Sequence, residues 1–524
     1  MRLIPDSRGG SLLRFAVGAV IVIAFTATTT AVAGLLQFKQ LTGYIGLTRS
    51  IPHANVVIPN PGNPQTIMII GSDHRAGEPF SAAHTDTMML MRLDPNSSTI
   101  NVLSVPRDLK VQIPEGGTFA TDKLNATYSV GGPNLLIKVL KTQVFPGLAV
   151  NHIIDINFSG FSDLIDAMGC VYTDVDHRYF NNTLQTNYSS IDIQPGYQKL
   201  CGANQSEHGA LAFVRFRHTD NDIVRNARQQ DFIRWAKDQY GASNLIANRA
   251  RLLKIFGLHT QTDHNLHTVD GLINLFNLVA FSAAHTIKQI PFPAILLPCG
   301  GGGGGPAGTA KFIAVAACYV TGDPAAEQRA FTRFMTPTQA APKPKPKAVH
   351  RVQKSGGSAG TAGLTADSTD GQAQAAALAG VGMPVYYPTM IVAGTQYCSE
   401  VTANCSEYPN PASEYTASYP RRYVLRDQRG HVYQAYRMTL VKNAVIGQYY
   451  GVQGMTWQHP PILNKPTKIE SVGSKRLMEF YNGSKLSLVA WRTSGGVYWV
   501  SNSLTDDIAP KQLIAIAASL HRAG

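Results

Sequence analysis

Thr66-Ile-Met-Ile-Ile70, Thr87-Met-Met-Leu-Met-Arg-Leu93 and Thr99-Ile-Asn-Val-Leu-Ser-Val105 decide the fold. Each run is short, apolar or β-branched, and bounded by turn or loop signals such as Asp94-Pro95-Asn96 between the second and third. Helical patterns follow. Leu135, Leu136, Val139 and Leu140 fall at amphipathic spacing between Pro133 and Val144, as do Phe158, Phe161, Leu164 and Ile165 between Phe158 and Met168. Strands alternating with helices predict an α/β protein, a mixed α/β sandwich whose central sheet is flanked by helices.

Working outward, the chain of 524 residues has room for two or three domains. Residues 1–14 carry Arg2, Arg8 and Arg14 against Asp6, and the 22 residues Phe15 to Leu36 contain no charged side chain. That length spans a bilayer, and the basic flank keeps residues 1–14 in the cytoplasm. The reading is a single-pass cell-membrane protein, anchored through 15–36, with everything after Gln37 extracytoplasmic. A cleaved signal peptide ending at Ala31-Val32-Ala33 is the competing reading, and it exports the same residues. Residues 37–63, rich in Pro and Asn, read as a stalk. Residues 64–336 read as the first domain, with a buried helix at Gly271 to Ala284 and a strand at Ala294 to Leu297. Residues 337–382 read as a linker, because Pro342-Lys-Pro-Lys-Pro-Lys347 and the Gly, Ser, Ala and Thr after it cannot bury a core. Residues 383–524 read as a smaller α+β domain. Its β-type runs lie at 422–425, 432–440, 487–491 and 496–500, and its last helix at 507–520. It has no nucleophile or His/Asp/Glu constellation, so it reads as a binding or spacer module.

Charge and cysteine usage agree with export. A net charge of +13 favours acidic partners, and export argues against nucleic acid among them. Cys170, Cys201, Cys299, Cys318, Cys398 and Cys405 show no zinc-binding spacing. Proximity suggests pairing each with its neighbour in that order, as disulfides in an oxidising compartment. The glycine run Gly300 to Gly305 lacks the Gly-Lys-Ser/Thr ending of a phosphate loop and reads as a surface loop.

The chemistry concentrates in Arg215-Phe-Arg217-His-Thr-Asp220-Asn-Asp222-Ile-Val-Arg225-Asn-Ala-Arg228-Gln229-Gln230. Guanidinium groups donate paired hydrogen bonds to phosphate oxygens and never lose their charge, so arginines set among apolar residues call for an anion. A helix entered near Asp222 puts Asp222, Arg225 and Gln229 on one stripe with Arg228 beside them. Arg215 and Arg217 alternate on a preceding extended segment. A solvated helix of Asp-Arg pairs is the plainer alternative. A second charged set lies at the strand ends: Asp73 and Arg75 after the first, Asp86 before the second, Arg107 and Asp108 after the third. Asp73 and Asp86 suit magnesium, whose shell phosphates and water complete; otherwise they pair with Arg75 and Arg107.

The order Gly71-Ser-Asp-His-Arg75, Asp86-Thr87, Ser104-Val-Pro-Arg-Asp108, Lys123-Leu-Asn125 and the arginine block resembles the LytR-CpsA-Psr family of cell-wall glycopolymer transferases. Asn151 to Gly160 and Asp166 to Val171 are similar to its central segments. The resemblance is close over 66–240, looser to Thr336, and does not reach the carboxy-terminal domain. Two departures, Cys170 where the family commonly has Gly and an insertion at 203–209, suit a disulfide from Cys170 to Cys201. The resemblance implies a magnesium-dependent phosphotransferase, with pyrophosphatase side activity, that moves a polyprenyl-diphosphate-linked glycan onto peptidoglycan. Asp73 and Asp86 would hold Mg2+. Arg75, Arg107, Lys123, Arg215, Arg217, Arg225 and Arg228 would bind the diphosphate, with Gln229 nearby. Asp108 and Asp222 are the candidate general bases beside Arg107, and helices such as Pro133 to Val144 would wall a groove for the prenyl chain. A non-catalytic scaffold for polyprenyl phosphate or wall polymer is the other class; a transcriptional role conflicts with export.

Overall fold

A computed structural model describes residue 43 and residues 49–297, 319–338 and 362–524 apart from interruptions, the longest at 75–82, 182–190, 203–208, 217–221, 241–247, 400–404 and 406–418. The expected anchor at 15–36, the glycine run, and Cys299 and Cys318 lie outside the described residues, as does most of the helix expected at 271–284. Among the described residues no helix is long and apolar enough to cross a membrane.

The first domain is built on a seven-stranded mixed sheet. Its strands in chain order are β1 (Arg49–Ser50), β2 (Gln65–Ser72), β3 (Thr85–Leu93), β4 (Thr99–Ser104), β7 (His152–Asn157), β10 (Thr260–Thr262) and β11 (Thr286–Ile290). Between β4 and β7 lies a hairpin of β5 (Lys110–Glu115) and β6 (Thr118–Lys123), and between β7 and β10 another of β8 (Val171–Val175) and β9 (Gly196–Leu200). The spatial order of the main sheet is β1-β10-β7-β2-β3-β4-β11. β2 lies between antiparallel β3 and parallel β7, so it is covered on both faces and reads as a near-continuous apolar run.

One face is covered by α1 (Ala126–Val139) and its π-helical extension Leu140–Val144. Leu136, Ile137 and Leu140 pack there against Met68, Ile70, Leu90 and Leu103 in the main core. Pro133 is tolerated because Gly131 and Gly132 leave helical geometry and kink the chain just before it. The other face carries α2 (Phe158–Met168), α3 (Ala210–Arg215), α4 (Asp222–Gln239) and α5 (Arg249–His259). Asn157 caps α2 by accepting from the Gly160 amide, and Gly169 ends it in the left-handed conformation at φ 91°. α6 (Pro324–Met335), capped by Asp323, closes the domain with Phe331 and Phe334 buried in the main core.

Two boundaries differ from the sequence reading. The stalk expected over 37–63 is short of its full length, because β1 joins the sheet, Ile51 is buried in the main core, and Val57 donates to the Val150 carbonyl. Proline and asparagine kept this segment from looking like sheet, yet its few apolar residues find the edge. The linker expected over 337–382 also ends early. A strand at Leu364–Ala366 and α7 (Ser368–Ala377), capped by Asp367, already belong to the second domain, and Leu378 and Val381 lie in its core. Alanine-rich composition hid a helix that is stabilised by packing rather than by pattern.

The second domain is an eight-stranded antiparallel sheet in the order β12-β14-β15-β19-β18-β17-β16, with β13 pairing β14 off this path. The strands are β12 (Gln396–Tyr397), β13 (Arg421–Arg426), β14 (Val432–Asn443), β15 (Gln448–Met455), β16 (Lys468–Val472), β17 (Lys475–Asn482), β18 (Lys485–Thr493) and β19 (Gly496–Ser501). α8 (Pro510–Ser519) buries Leu513, Ile516 and Ala517 against it. Cys170 pairs with Cys201 and Cys398 with Cys405.

The domains are docked through aromatic and charged groups. Tyr172 and Tyr197 of the β8–β9 hairpin stack at 5.7 Å and enter one cluster with Leu425, Met455, Trp457 and Trp499. At its centre Asp174 accepts from Arg437 Nη1 and from Trp499 Nε1, each at 3.1 Å. Arg437 and Trp499 are fully buried, so this carboxylate has exchanged water for fixed donors. Arg437→Ala strips one partner from a buried charge, a loss of about 3–5 kcal/mol. Calorimetry should show one cooperative transition for the wild-type chain and two separated transitions for the variant; an unchanged trace would mean the docking does not depend on this pair.

Candidate functional site

The site forms where β2, β3 and β4 end. Gly71 is opposite Thr87 and Ser72 opposite Thr85, so Asp86 is the extra residue of a β-bulge. A bulge re-aims one side chain without breaking the sheet, and here the side chain is the carboxylate. Asp86 Oδ1 accepts from Arg107 Nη1, and Oδ2 accepts from Arg215 Nε at 3.1 Å. Arg107 sits in the turn after β4, and Arg215 is the last residue of α3. The sequence put Arg215 on an extended segment. In fact the helix reaches it, and its guanidinium lies 3.9 Å over the Phe158 ring.

Arg225 enters from α4 and is 1% exposed. Burial alone would raise the Asp86 pKa, but the charges of Arg225, Arg215 and Arg107, with the Arg215 hydrogen bond, together hold it below the ordinary 3.8. One carboxylate therefore neutralises guanidinium groups drawn from a strand end and two helices. One turn further along α4, Gln229 donates to Thr87 Oγ1 at 2.9 Å and to the Val214 carbonyl at 3.1 Å. Gln230 donates to Ser104 Oγ at 2.8 Å. These amides fix α4 in register with β3 and β4, which is what aims Arg225 at Asp86.

Asp108 is buried and faces Lys123 Nζ at 3.1 Å and Arg107 Nε at 3.7 Å. It joins the Arg107 turn to β6, bringing Lys123 to the cage. Asp73 is exposed; its Oδ1 accepts from the His84 amide at 2.5 Å across the β2–β3 opening. The backbone beneath it is held by residues that the sequence reading did not single out. Ser72 Oγ donates to Asp155 Oδ1 at 2.7 Å and Tyr128 Oη donates to Asp155 Oδ2 at 2.5 Å. Burial pushes Asp155 up to about 6 against those hydrogen bonds and the His74 charge. Its signal was an acid inside the apolar run His152-Ile-Ile-Asp-Ile156 of a central strand, where an unpartnered carboxylate would be costly.

Three expectations need correction or fall outside. Arg228 is not part of the cage: it is fully buried, donates to the Phe213 and Phe216 carbonyls at 3.0 and 2.8 Å, and lies 4.3 Å over the Tyr179 ring. It caps the end of α3, three residues and roughly 60° round α4 from Arg225, with Nη1 given to those carbonyls rather than to Asp86. The helix at Pro133 to Val144 lies in the main core, not on a prenyl groove. Arg75 and Arg217 lie outside the described residues, and of Asp222 only the backbone, at the start of α4, is described.

Beside Arg215 lies an apolar cavity of about 100 Å³, walled by Ile69, Met89, Phe158, Phe161, Val214 and Phe232, with Thr87 and Gln229 also in its lining. It occupies the space between the sheet and α2, α3 and α4. A guanidinium cage thus lies beside an apolar cavity in an α/β domain, and Arg215 belongs to both.

Comparison with known proteins agrees. The sequence profile of the LytR_cpsA_psr family matches residues 42–295, just under half of the chain, and this domain is similar to that family. The polyisoprenyl-teichoic acid–peptidoglycan teichoic acid transferase TagU of Halalkalibacterium halodurans is 29% identical over 230 residues, covering 44% of this chain and 69% of the relative. TagU of Oceanobacillus iheyensis is 31% identical over 215 residues, covering 40% and 61%. TagV of Bacillus subtilis, a transferase of the same printed name, is 26% identical over 220 residues, covering 42% and 54%. The matched segment thus spans from about half to about two thirds of these relatives.

Asp86→Asn keeps the shape and removes the charge that the guanidinium groups surround. A loss of about 3 kcal/mol in urea denaturation is expected at neutral pH. Because the Asp86 pKa is lowered on folding, its contribution is complete above the ordinary 3.8 and disappears as pH falls through the folded value. Wild type and variant should therefore converge in acid; a difference that grows below pH 3.8 would contradict the assignment.

Proposed function

We propose that the chain transfers a polyprenyl-diphosphate-linked glycopolymer onto peptidoglycan, leaving a phosphodiester link and releasing polyprenyl phosphate. The observation that carries this reading is the cage of Arg107, Arg215 and Arg225 around Asp86 at the mouth of an apolar cavity. The cavity suits the first prenyl units and the cage suits the diphosphate. The relatives, named as polyisoprenyl-teichoic acid–peptidoglycan teichoic acid transferases, supply the class of donor and acceptor.

In the proposed step the acceptor hydroxyl oxygen bonds to the glycan-side phosphorus, the bond from that phosphorus to the bridging oxygen breaks, and polyprenyl phosphate leaves with the electron pair. Charge spreads over the phosphoryl oxygens in the transition state, which is where fixed guanidinium groups stabilise most. Arg107 and Arg215 turn from Asp86 to the diphosphate, and Arg225 sits behind them. Asp108, committed to Lys123 and Arg107, positions those two groups. Asp108 and Asp222 are the candidate acceptors of the hydroxyl proton.

Asp73 and Asp86 end adjacent strands and offer hard oxygen donors, as magnesium requires alongside phosphate and water. The fit depends on phosphate drawing the two arginines off Asp86, since both its oxygens accept from them here. Bound there, the ion would neutralise the diphosphate and polarise the phosphorus. Residues 15–36 would tether the catalytic domain outside the membrane.

The test is turnover of a polyprenyl diphosphate, read as release of prenyl phosphate, a reaction that also covers the pyrophosphatase side activity. Arg107→Ala and Arg225→Ala should each lose about 2–4 kcal/mol of transition-state stabilisation, and chelation of magnesium should abolish turnover. Replacing Lys343, Lys345 and Lys347 should leave the rate unchanged, and Arg228→Met should lower stability while folded molecules keep their rate. Full activity in Arg107→Ala would overturn the assignment.

A further inference from the structure

A second cavity, far larger than the apolar one, opens on the other side of α4. It measures about 870 Å³ and lies between β11 with α4 on one side and the β17–β18 turn of the second domain on the other. That volume is within the range of roughly 300–1,000 Å³ typical of built ligand sites, which favour domain interfaces. Its lining comes within one residue of the cage in sequence: Pro106 precedes Arg107, and Asn226 follows Arg225. No residue lines both this cleft and the apolar cavity.

We propose that this interdomain cleft seats the acceptor, a peptidoglycan strand, so that the second domain forms one wall of the acceptor site. The proposal rests on the transferase reading and adds the side from which the acceptor enters. In a phosphoryl displacement the attacking and leaving oxygens lie roughly in line on opposite sides of phosphorus. With the prenyl phosphate leaving toward the apolar cavity, the attacking hydroxyl must arrive from the far side. That side is the cleft.

Its chemistry suits a carboxylate-bearing glycan. The side chains of Asn226 and Gln230 and the half-buried ring of Tyr481 line it, a combination of hydrogen-bonding groups with one aromatic face. Lys288 and Lys485 add positive charge within reach of lactyl or peptide carboxylates. The two walls are joined by contacts that hold the cleft at a fixed width. Asn482 Nδ2 donates to Gln289 Oε1, and Gln289 Nε2 donates to Asp231 Oδ1 at 3.0 Å.

The experiment uses the purified full chain and two probes. One is a soluble peptidoglycan fragment of linked disaccharide-peptide units, followed by calorimetric titration; the other is a polyprenyl diphosphate without glycan, followed by prenyl phosphate release with magnesium. Ser484→Trp, at an exposed turn position, places an indole in the cleft, and Tyr481→Ala removes the ring. Both variants should bind the fragment at least about tenfold more weakly, a change of about 1.4 kcal/mol, while diphosphate turnover stays at the wild-type rate. Fragment binding that is unchanged in both variants, or absent from wild type, overturns the cleft assignment and leaves the transferase reading standing. Loss of fragment binding in a chain that never cleaves the diphosphate supports the cleft and overturns the transferase reading. If glycan-bearing donor, rather than fragment, loses affinity in the variants, the cleft belongs to the donor and the proposal fails.

Discussion

One carboxylate in a β-bulge organises this protein's chemistry. Guanidinium groups from the turn after β4, the end of α3 and the first turns of α4 converge on Asp86, and without it their charges would repel across a few ångströms of partly desolvated space. In the proposed function the carboxylate keeps the arginines assembled until a stronger anion arrives. A diphosphate supplies more charge and more acceptor oxygens than one carboxyl group, so it can take over the same donors. The cage is built in advance, and binding exchanges one anion for another rather than gathering the charges anew.

The rest of the first domain holds that arrangement still. Gln229 and Gln230 pin α4 to β3 and β4, Asp155 holds Ser72 at the end of β2, and Asp108 ties Lys123 to the Arg107 turn. Arg228 shows how much of an arginine-rich helix is structural, since it binds carbonyls and aromatic faces rather than Asp86. The second domain is fixed to the same helix and hairpin through Asp174, Arg437 and Trp499. That docking turns a sheet edge into one wall of a cleft beside the cage.

Much of this was legible in the sequence. The strands at 65–72, 85–93 and 99–104 and the helix at Phe158–Met168 follow from periodicity, because burial on one or both faces dictates where apolar residues fall. Asp86, Arg107 and Arg225 were legible as charges that no surface reading explained jointly. Arg228 was not, because residues three apart on a helix share a side, and only the position of the α3 carbonyls makes this arginine a cap rather than a partner of Asp86. Arg215 was misread because the short helix Ala210–Arg215 is too brief to show a period. Asp155, Ser72 and Tyr128 were missed because each looks ordinary alone, and only the sheet order brings β2, β7 and α1 together. The cleft was beyond reach for the same reason, as its walls are separated by about two hundred residues of chain.

The most direct measurement is a structure of the protein with a non-hydrolysable polyprenyl diphosphate and magnesium. The account predicts phosphate oxygens on Arg107, Arg215 and Arg225, Asp86 released from Arg107 and Arg215, and the first prenyl units between Phe158, Phe161 and Val214. A diphosphate bound elsewhere, with Asp86 still paired to both arginines, would contradict it.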